Sequence, residues 1–323
     1  MSEPIAQIWW KSPGETTVHR LVPTPTGSTG FRFEPFRRSA HSPSILVQGE
    51  PERCDYPAPG TIKLTDRASS ESATETEHVQ AVREAVVAIE GGAFDKAVLS
   101  RSEFWATERT PESVFQAKCE AYPEAFVYLF NHPDAGVWIG ATPEVLLRQS
   151  SNQFETVALA GTKSDASRPW SEKERHEQAL VVDYIEQKLR SHSATDLNVG
   201  APESIGYGQL EHLKSKMAFA SEFAADFWLD VLHPTPAVGG VPKAEALKFI
   251  ASHEKGERKY YTGYLGLVQN EKAEFYVNLR CMQCFAGGYQ LYAGGGIVMG
   301  SDPQNEWKET QDKINSIRTG LGG

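Results

Sequence analysis

Residues 263–293 read GYLGLVQNEKAEFYVNLRCMQCFAGGYQLYA, and this stretch decides the fold. It contains three strand-like runs, Gly263–Gln269, Glu274–Phe285 and Tyr289–Ala293, separated by polar or Gly-rich breaks. Short runs rich in aromatic and β-branched residues with turn residues between them predict an antiparallel meander. Further strands are predicted upstream, over 94–104, 125–130, 136–139, 144–149 and 216–222. Helices interrupt them singly. Val79, Val82, Val86 and Ile89 form a stripe at helical spacing over 77–89, closed by Gly91-Gly92. Thr110-Pro111 opens another helix, with Thr110 as N-cap. Ser171 with Glu174 three residues on is a capping-box pattern heading a long helix to Ser191. Helices over 224–232, 242–252 and 303–319 complete the set. Strands joined by turns and broken by isolated helices predict an α+β fold, with large antiparallel sheets packed as a sandwich and helices outside. Residues 1–78, Pro/Ser/Gly-rich and then polar over 66–78, read as a strand-rich N-terminal layer and linker. Residues 79–323 read as the catalytic domain, the two forming one unit.

The chain has 323 residues and a net charge of -10, with 40% hydrophobic and 23% charged residues. Such an acidic chain is a poor nucleic-acid binder, because phosphate contacts need clustered Lys and Arg. An anionic substrate would have to be held by a metal ion or a few placed cations. Cys281-Met-Gln-Cys284 has the spacing of half a zinc site. In a strand, however, i and i+3 face opposite ways, which argues against a shared metal. No apolar stretch reaches the roughly 18 residues of a membrane span. Met1-Ser-Glu-Pro4 lacks a basic and an apolar leader region, so a cytoplasmic protein is expected.

Two carboxylate pairs stand out. Glu306, Glu309 and Lys313, at i, i+3 and i+7, share one face of the last helix, while Glu174 and Glu177 share a face of the long one. By pattern alone these are equally a solvated helix face and a capping box. Ala293-Gly294-Gly295-Gly296 reads as a strand end running into a Gly-rich turn that lets backbone amides approach an anion. Carboxylate pairs beside such a turn make sense if a divalent cation bridges them and the anion. Oxygen-only donors point to Mg²⁺.

Five segments in order then carry a resemblance: KAVLSR (96–101), ATPEVL (141–146), ALAGT (158–162), LHPTPAVGG (232–240) and YAGGGIVMGSDP (292–303). Together they resemble the chorismate-utilising enzymes, over roughly residues 80–320. The resemblance implies that Glu177 and Glu309 bind Mg²⁺ directly, that Glu174 and Glu306 act through water, and that the metal neutralises the ring carboxylate of chorismate. Arg280 would hold the enolpyruvyl carboxylate, a task suited to a guanidinium fork. Tyr261 and Lys313 match further substrate positions. Gly161, Thr162, Gly295 and Gly296 match backbone donors in the pocket, and His233 a histidine near the ring. Lys96 stands where amine-transferring members resemble Gln, and it matches a general base for water. Glu144 matches the acid that protonates the C4 hydroxyl. Ala160 replaces a lysine nucleophile found in aminodeoxychorismate synthases. The implied activity is that of an isochorismate synthase. Alternatives are a salicylate synthase, which goes on to eliminate pyruvate, an amine-transferring synthase, or a non-catalytic chorismate-binding protein. No glutaminase subunit is expected, and a monomer is the default.

Overall fold

The computed structural model describes residues 6–67, 72–163, 165, 167–207, 210–319 and 321. The expectation about the leader, and part of the 66–78 linker, lie outside these residues. In chain order the elements are β1 (Gln7–Lys11), β2 (Val18–Pro23), β3 (Thr29–Glu34), β4 (Ile45–Cys54), α1 (Glu75–Glu90), β5 (Lys96–Ala106), α2 (Pro111–Ala121), β6 (Phe126–His132), β7 (Gly136–Thr142), β8 (Val145–Ser150) and β9 (Gln153–Lys163). They continue as α3 (Glu172–Ser191), β10 (Thr195–Val199), β11 (Glu203–Tyr207), β12 (Leu210–Ala220), α4 (Ala225–Leu232), β13 (Gly240–Val241), α5 (Lys243–His253), β14 (Tyr264–Gln269), β15 (Lys272–Val277), β16 (Cys281–Phe285), β17 (Gly288–Val298) and α6 (Pro303–Arg318).

Every strand pairing among the described residues is antiparallel, and the ladder is continuous. It runs β13–β5–β17–β16–β7–β6–β1 and crosses to β2–β4–β3–β14–β15–β8–β9–β12, with β10 and β11 both on β12. The ladder folds back so that its two halves face one another, as the aromatic contacts show. Phe33 of β3 lies with its ring centroid 4.3 Å from that of Phe130 on β6, and Phe126 of β6 stacks at 4.6 Å on Tyr276 of β15. Each such pair contributes about 0.5–1.5 kcal/mol beyond its burial. Helices cover the outer faces. α2 and α6 close a core over β6, β7, β16 and β17 through Val114, Phe115, Ile314 and Ile317. α3 and α4 close another over β8, β9, β12 and β15 through Val181, Ile185, Leu189 and Trp228.

The helix starts are written locally. Thr74 and Ser171 both form reciprocal capping boxes, with Glu77 and Glu174, and Thr110 caps α2 ahead of Pro111. No helix among the described residues is long and apolar enough to cross a membrane.

Three features depart from the sequence reading. β1–β4 form the middle of the ladder rather than an N-terminal layer, β1 pairing with β6 and β3 with β14. The single strand expected over 274–285 is broken at Asn278–Arg280, where Arg280 takes a φ of 50°. The break splits it into β15 and β16, and Cys281 and Cys284 fall into cores on opposite sides of the sheet. The hairpin of β11 and the start of β12 was outside the predicted elements, since sequences such as ESIGY carry little apolar patterning.

Candidate active site

A cavity opens where the β5–β17 half of the ladder meets the β8–β9–β12 half. Lys96 begins β5, paired with Val298 on one side and Val241 on the other. Its side chain is fully buried, and Nζ lies 2.9 Å from Glu177 Oε1 of α3. Nζ has no aligned hydrogen bond, so the contact is an ion pair. Gly296 of β17 makes the approach possible. A Cβ there would sit 2.1 Å from Glu177 Oε1 and 3.1 Å from Lys96 Cε. Gly294 and Gly296 line the cavity, whereas Gly295 faces α6, where a Cβ would meet Glu306 Oε2 at 3.3 Å. The glycine run expected as a turn is therefore strand. Its missing side chains make room for carboxylates from two helices.

Glu144 enters the cavity ahead of β8, at a junction tied to Val277, whose N–H donates to the Glu144 carbonyl at 2.9 Å. Burial pushes its carboxyl up to about 8, against the opposing pull of Lys96, Lys313 and Arg280. A carboxylic acid in so dry a setting keeps its proton near neutral pH.

Arg280 projects from the break between β15 and β16. Nη1 donates to Ser316 Oγ at 2.5 Å, and Nη2 lies 3.2 Å from His212 Nε2. His212 Nδ1 in turn lies 3.2 Å from the Gly161 carbonyl and 3.2 Å from Thr162 Oγ1. Burial, reinforced by Arg280 and Lys313, pushes His212 down to about 3, so the ring is neutral. The arrangement then fixes the tautomer: Nδ1–H donates to the Gly161 carbonyl and Nε2 accepts from Arg280. Sequence reasoning missed His212. It sits in the polar hairpin that showed no apolar period, and only its cross-strand register opposite Thr162 reveals it. Lys313 donates to the Gly294 carbonyl at 2.9 Å and to Glu309 Oε1 at 2.7 Å. Tyr261 lines the cavity, stacked on Tyr292 at 5.5 Å.

The carboxylates are distributed differently from the sequence expectation. Glu306 is buried, pairs through Oε1 with Lys173, and leaves Oε2 without a partner. Burial, and then Glu309, raise its carboxyl to about 7. Glu177 is held below the usual range: burial works against ionisation, but Lys96, Lys173 and Lys313 outweigh it. Against its burial, Lys173, paired with Glu306, is held up by that partner first and then by Glu309 and Glu177. Glu174 does not join them. It is turned onto Arg168 by bonds of 2.5 and 3.1 Å and onto its own cap residue, Ser171, because the capping box and the guanidinium engage both its oxygens. His233 also lies away from the cavity lining. Its Nε2 lies 3.0 Å from the Thr262 carbonyl, and the ring packs edge-on against Tyr264; burial, against the pull of that carbonyl, pushes the imidazole down to about 4.

Among the described residues no three His, Cys, Asp or Glu side chains stand as a ready-made metal cluster, since each acid leans on its own cation. The donor set still suits a hard divalent ion. Its donors are carboxylate oxygens only, the unpartnered Glu306 Oε2 is buried, and Glu306 is strained by like charge that a cation would relieve.

Comparison with known proteins bears on this geometry. A family model described as "Chorismate binding enzyme" matches residues 54–322. The chain is 31% identical over 277 residues to isochorismate synthase MenF of Escherichia coli strain K12, spanning 81% of this chain and 64% of that protein. It is 33% identical over 246 residues to isochorismate synthase EntC of the same strain, spanning 71% of this chain and 62% of that protein. The aligned region thus spans less than two thirds of these curated relatives. Among solved structures, a 2,3-dihydroxybenzoate-specific isochorismate synthase, DhbC, from Bacillus anthracis superimposes with a TM-score of 0.82 at 23% identity, covering 98% of this chain and 96% of that one. Anthranilate synthase component I from Streptococcus pneumoniae does so with a TM-score of 0.75 at 17% identity, covering 98% and 93%.

Proposed function

Because the chain belongs to the chorismate-binding enzyme family, we propose that it is an isochorismate synthase, an isomerase that adds water at C2 of chorismate and expels the C4 hydroxyl. One observation carries the reading: a buried, proton-retaining carboxyl, Glu144, lines a cavity that Arg280 and Lys313 make cationic, and the buried Lys96 stands directly behind its wall, against Glu177 and Gly296. That set supplies a base, an acid and two anion anchors, the minimum for exchanging one hydroxyl for another on a dianionic ring.

Arg280 binds the enolpyruvyl carboxylate, its fork oriented by Ser316 and His212. Glu177 and Glu309, with Glu306 beside them, would hold Mg²⁺, which when bound neutralises the ring carboxylate. Lys96 in its neutral form, without the proton it holds in the ion pair with Glu177, takes a proton from a water molecule as its oxygen bonds to C2. The ring double bonds shift, and Glu144 gives its proton to the C4 hydroxyl, which leaves as water. The atoms balance as water in and water out. Apolar walls from Val98, Leu159, Val238 and Leu279 limit competing solvent. Water as nucleophile requires no ammonia source, so no glutaminase subunit is needed.

The test is incubation of the full chain with chorismate and Mg²⁺ and analysis of the products. Isochorismate without pyruvate is the expected result. Pyruvate with salicylate would move the chain to the salicylate synthases, and turnover only with an amine donor would overturn both readings.

A further inference from the structure

We propose that Lys118 and Tyr122, which stand at the end of α2 outside the cavity lining, are positioning residues that aim Arg280 through Ser316 of α6. This rests on the reading of Arg280 as the carboxylate anchor.

Lys118 is only 2% exposed, a setting in which an ammonium group is costly unless its protons are used. They are used on one target. Nζ donates to the Ile317 carbonyl and, at 3.3 Å, to that of Thr319. The Tyr122 hydroxyl donates to the Ser316 carbonyl at 2.8 Å. These carbonyls belong to the C-terminal turn of α6, where backbone acceptors lack helical partners and the helix dipole favours a positive charge. Two side chains from one helix thus pin the end of another.

The pinned turn is the one that meets Arg280. Ser316 is held by its carbonyl on Tyr122, while its hydroxyl accepts from Arg280 Nη1 at 2.5 Å and donates to the Lys313 carbonyl at 2.7 Å. The second support of the guanidinium is His212, on β12. The fork thus leans on an atom of a strand and on one of α6, and the end of α6 is held from α2. Lys118 is also close enough to Arg280 for the two charges to oppose one another, which adds to burial in pushing Lys118 down to about 7. Neither Lys118 nor Tyr122 lines the cavity, so neither is placed to touch substrate.

The experiment compares wild type with Tyr122→Phe, Lys118→Met, Ser316→Ala and the double variant Tyr122→Phe/Ser316→Ala. It measures KM and kcat for chorismate, chorismate binding by calorimetry, and melting temperature. Tyr122→Phe is expected to raise KM and the dissociation constant roughly three- to tenfold with kcat within about twofold, and Lys118→Met to do so more strongly. The double variant is expected to match Ser316→Ala alone, because both changes act through one serine. A lower melting temperature with unchanged KM and binding would make α2 a structural cap only and overturn the proposal, as would additive effects in the double variant. Should Lys118→Met fail to fold, Tyr122→Phe decides the matter. Arg280→Lys serves as the control: unchanged chorismate binding in that variant would overturn the anchor reading itself, and this proposal with it.

Discussion

In the proposed reaction Lys96 and Glu144 would divide the chemistry between them, and each gives a separate prediction. Replacing Lys96 with Ala is expected to abolish turnover while chorismate still binds within a few-fold, checked by product analysis alongside calorimetry; full activity in that variant would remove Lys96 as the base. Glu144 gives a prediction about pH. Its carboxyl titrates near 8 in the fold against 4.5 in an unfolded chain. The folded protein therefore holds the proton more tightly, and the group's contribution to stability is complete below about 4.5 and is lost as pH rises to about 8. Glu144→Gln cannot ionise, so between these limits it is expected to gain stability over wild type with rising pH, on the order of a few kcal/mol by pH 8, while losing activity. Denaturant melts across pH check the first, and rates the second; parallel pH curves for the two proteins would sink the claim. How much of this was legible varies from residue to residue. Lys96, Glu144 and Arg280 could be singled out through their motifs. The acid's proton affinity could not, because it arises from burial by segments distant in sequence. His212 was invisible for the same reason. Glu174 was misplaced because a capping box and a metal site ask for the same residue at the same spacing, and only the three-dimensional position of Arg168 separates them.

At the scale of elements, β17 decides where the carboxylates of α3 and α6 can sit. Gly296→Ala would place a methyl 2.1 Å from Glu177 Oε1, so the carboxylate must leave Lys96. The expected outcome is loss of activity by two or more orders of magnitude, with a fall in stability of only about 1–3 kcal/mol, because overpacking here displaces a side chain rather than a core. Kinetics with a thermal melt check it, and near-normal rates would show that Glu177 has another way to reach its place. The helices were legible because their ends carry side-chain caps and their faces a 3.6 period. The break at Asn278–Arg280 was not. Nothing in its composition marks it, as an arginine at positive φ is tolerated only where surrounding contacts impose it. That irregularity is what turns Arg280 into the cavity.

For the whole molecule, the α+β class followed from strand patterns and turns, but the ladder's order did not, because strand pairing between distant segments leaves no local trace. The place of residues 7–54 at its centre is the clearest case. Gly263→Ala tests that seam. A Cβ there would come within 1.9 Å of the Glu34 carbonyl oxygen, backbone that cannot swing aside. The variant is expected to be insoluble or to lose more than about 4 kcal/mol, read by soluble yield and denaturant melts, whereas a wild-type melt would show that β3 is dispensable at β14.

The central position of β3 also bears on how the protein is made. Its partner on one side, β14, is separated from it by most of the polypeptide, since Gly30 pairs with Val268. During synthesis the first strands leave the ribosome with both outer edges bare, β1 waiting for β6 and β3 for β14. Two unsatisfied β-edges rich in aromatic residues are a standing invitation to intermolecular association. The β3 edge stays open until the last part of the chain is made, so late translation is the stage at which this edge is exposed to association.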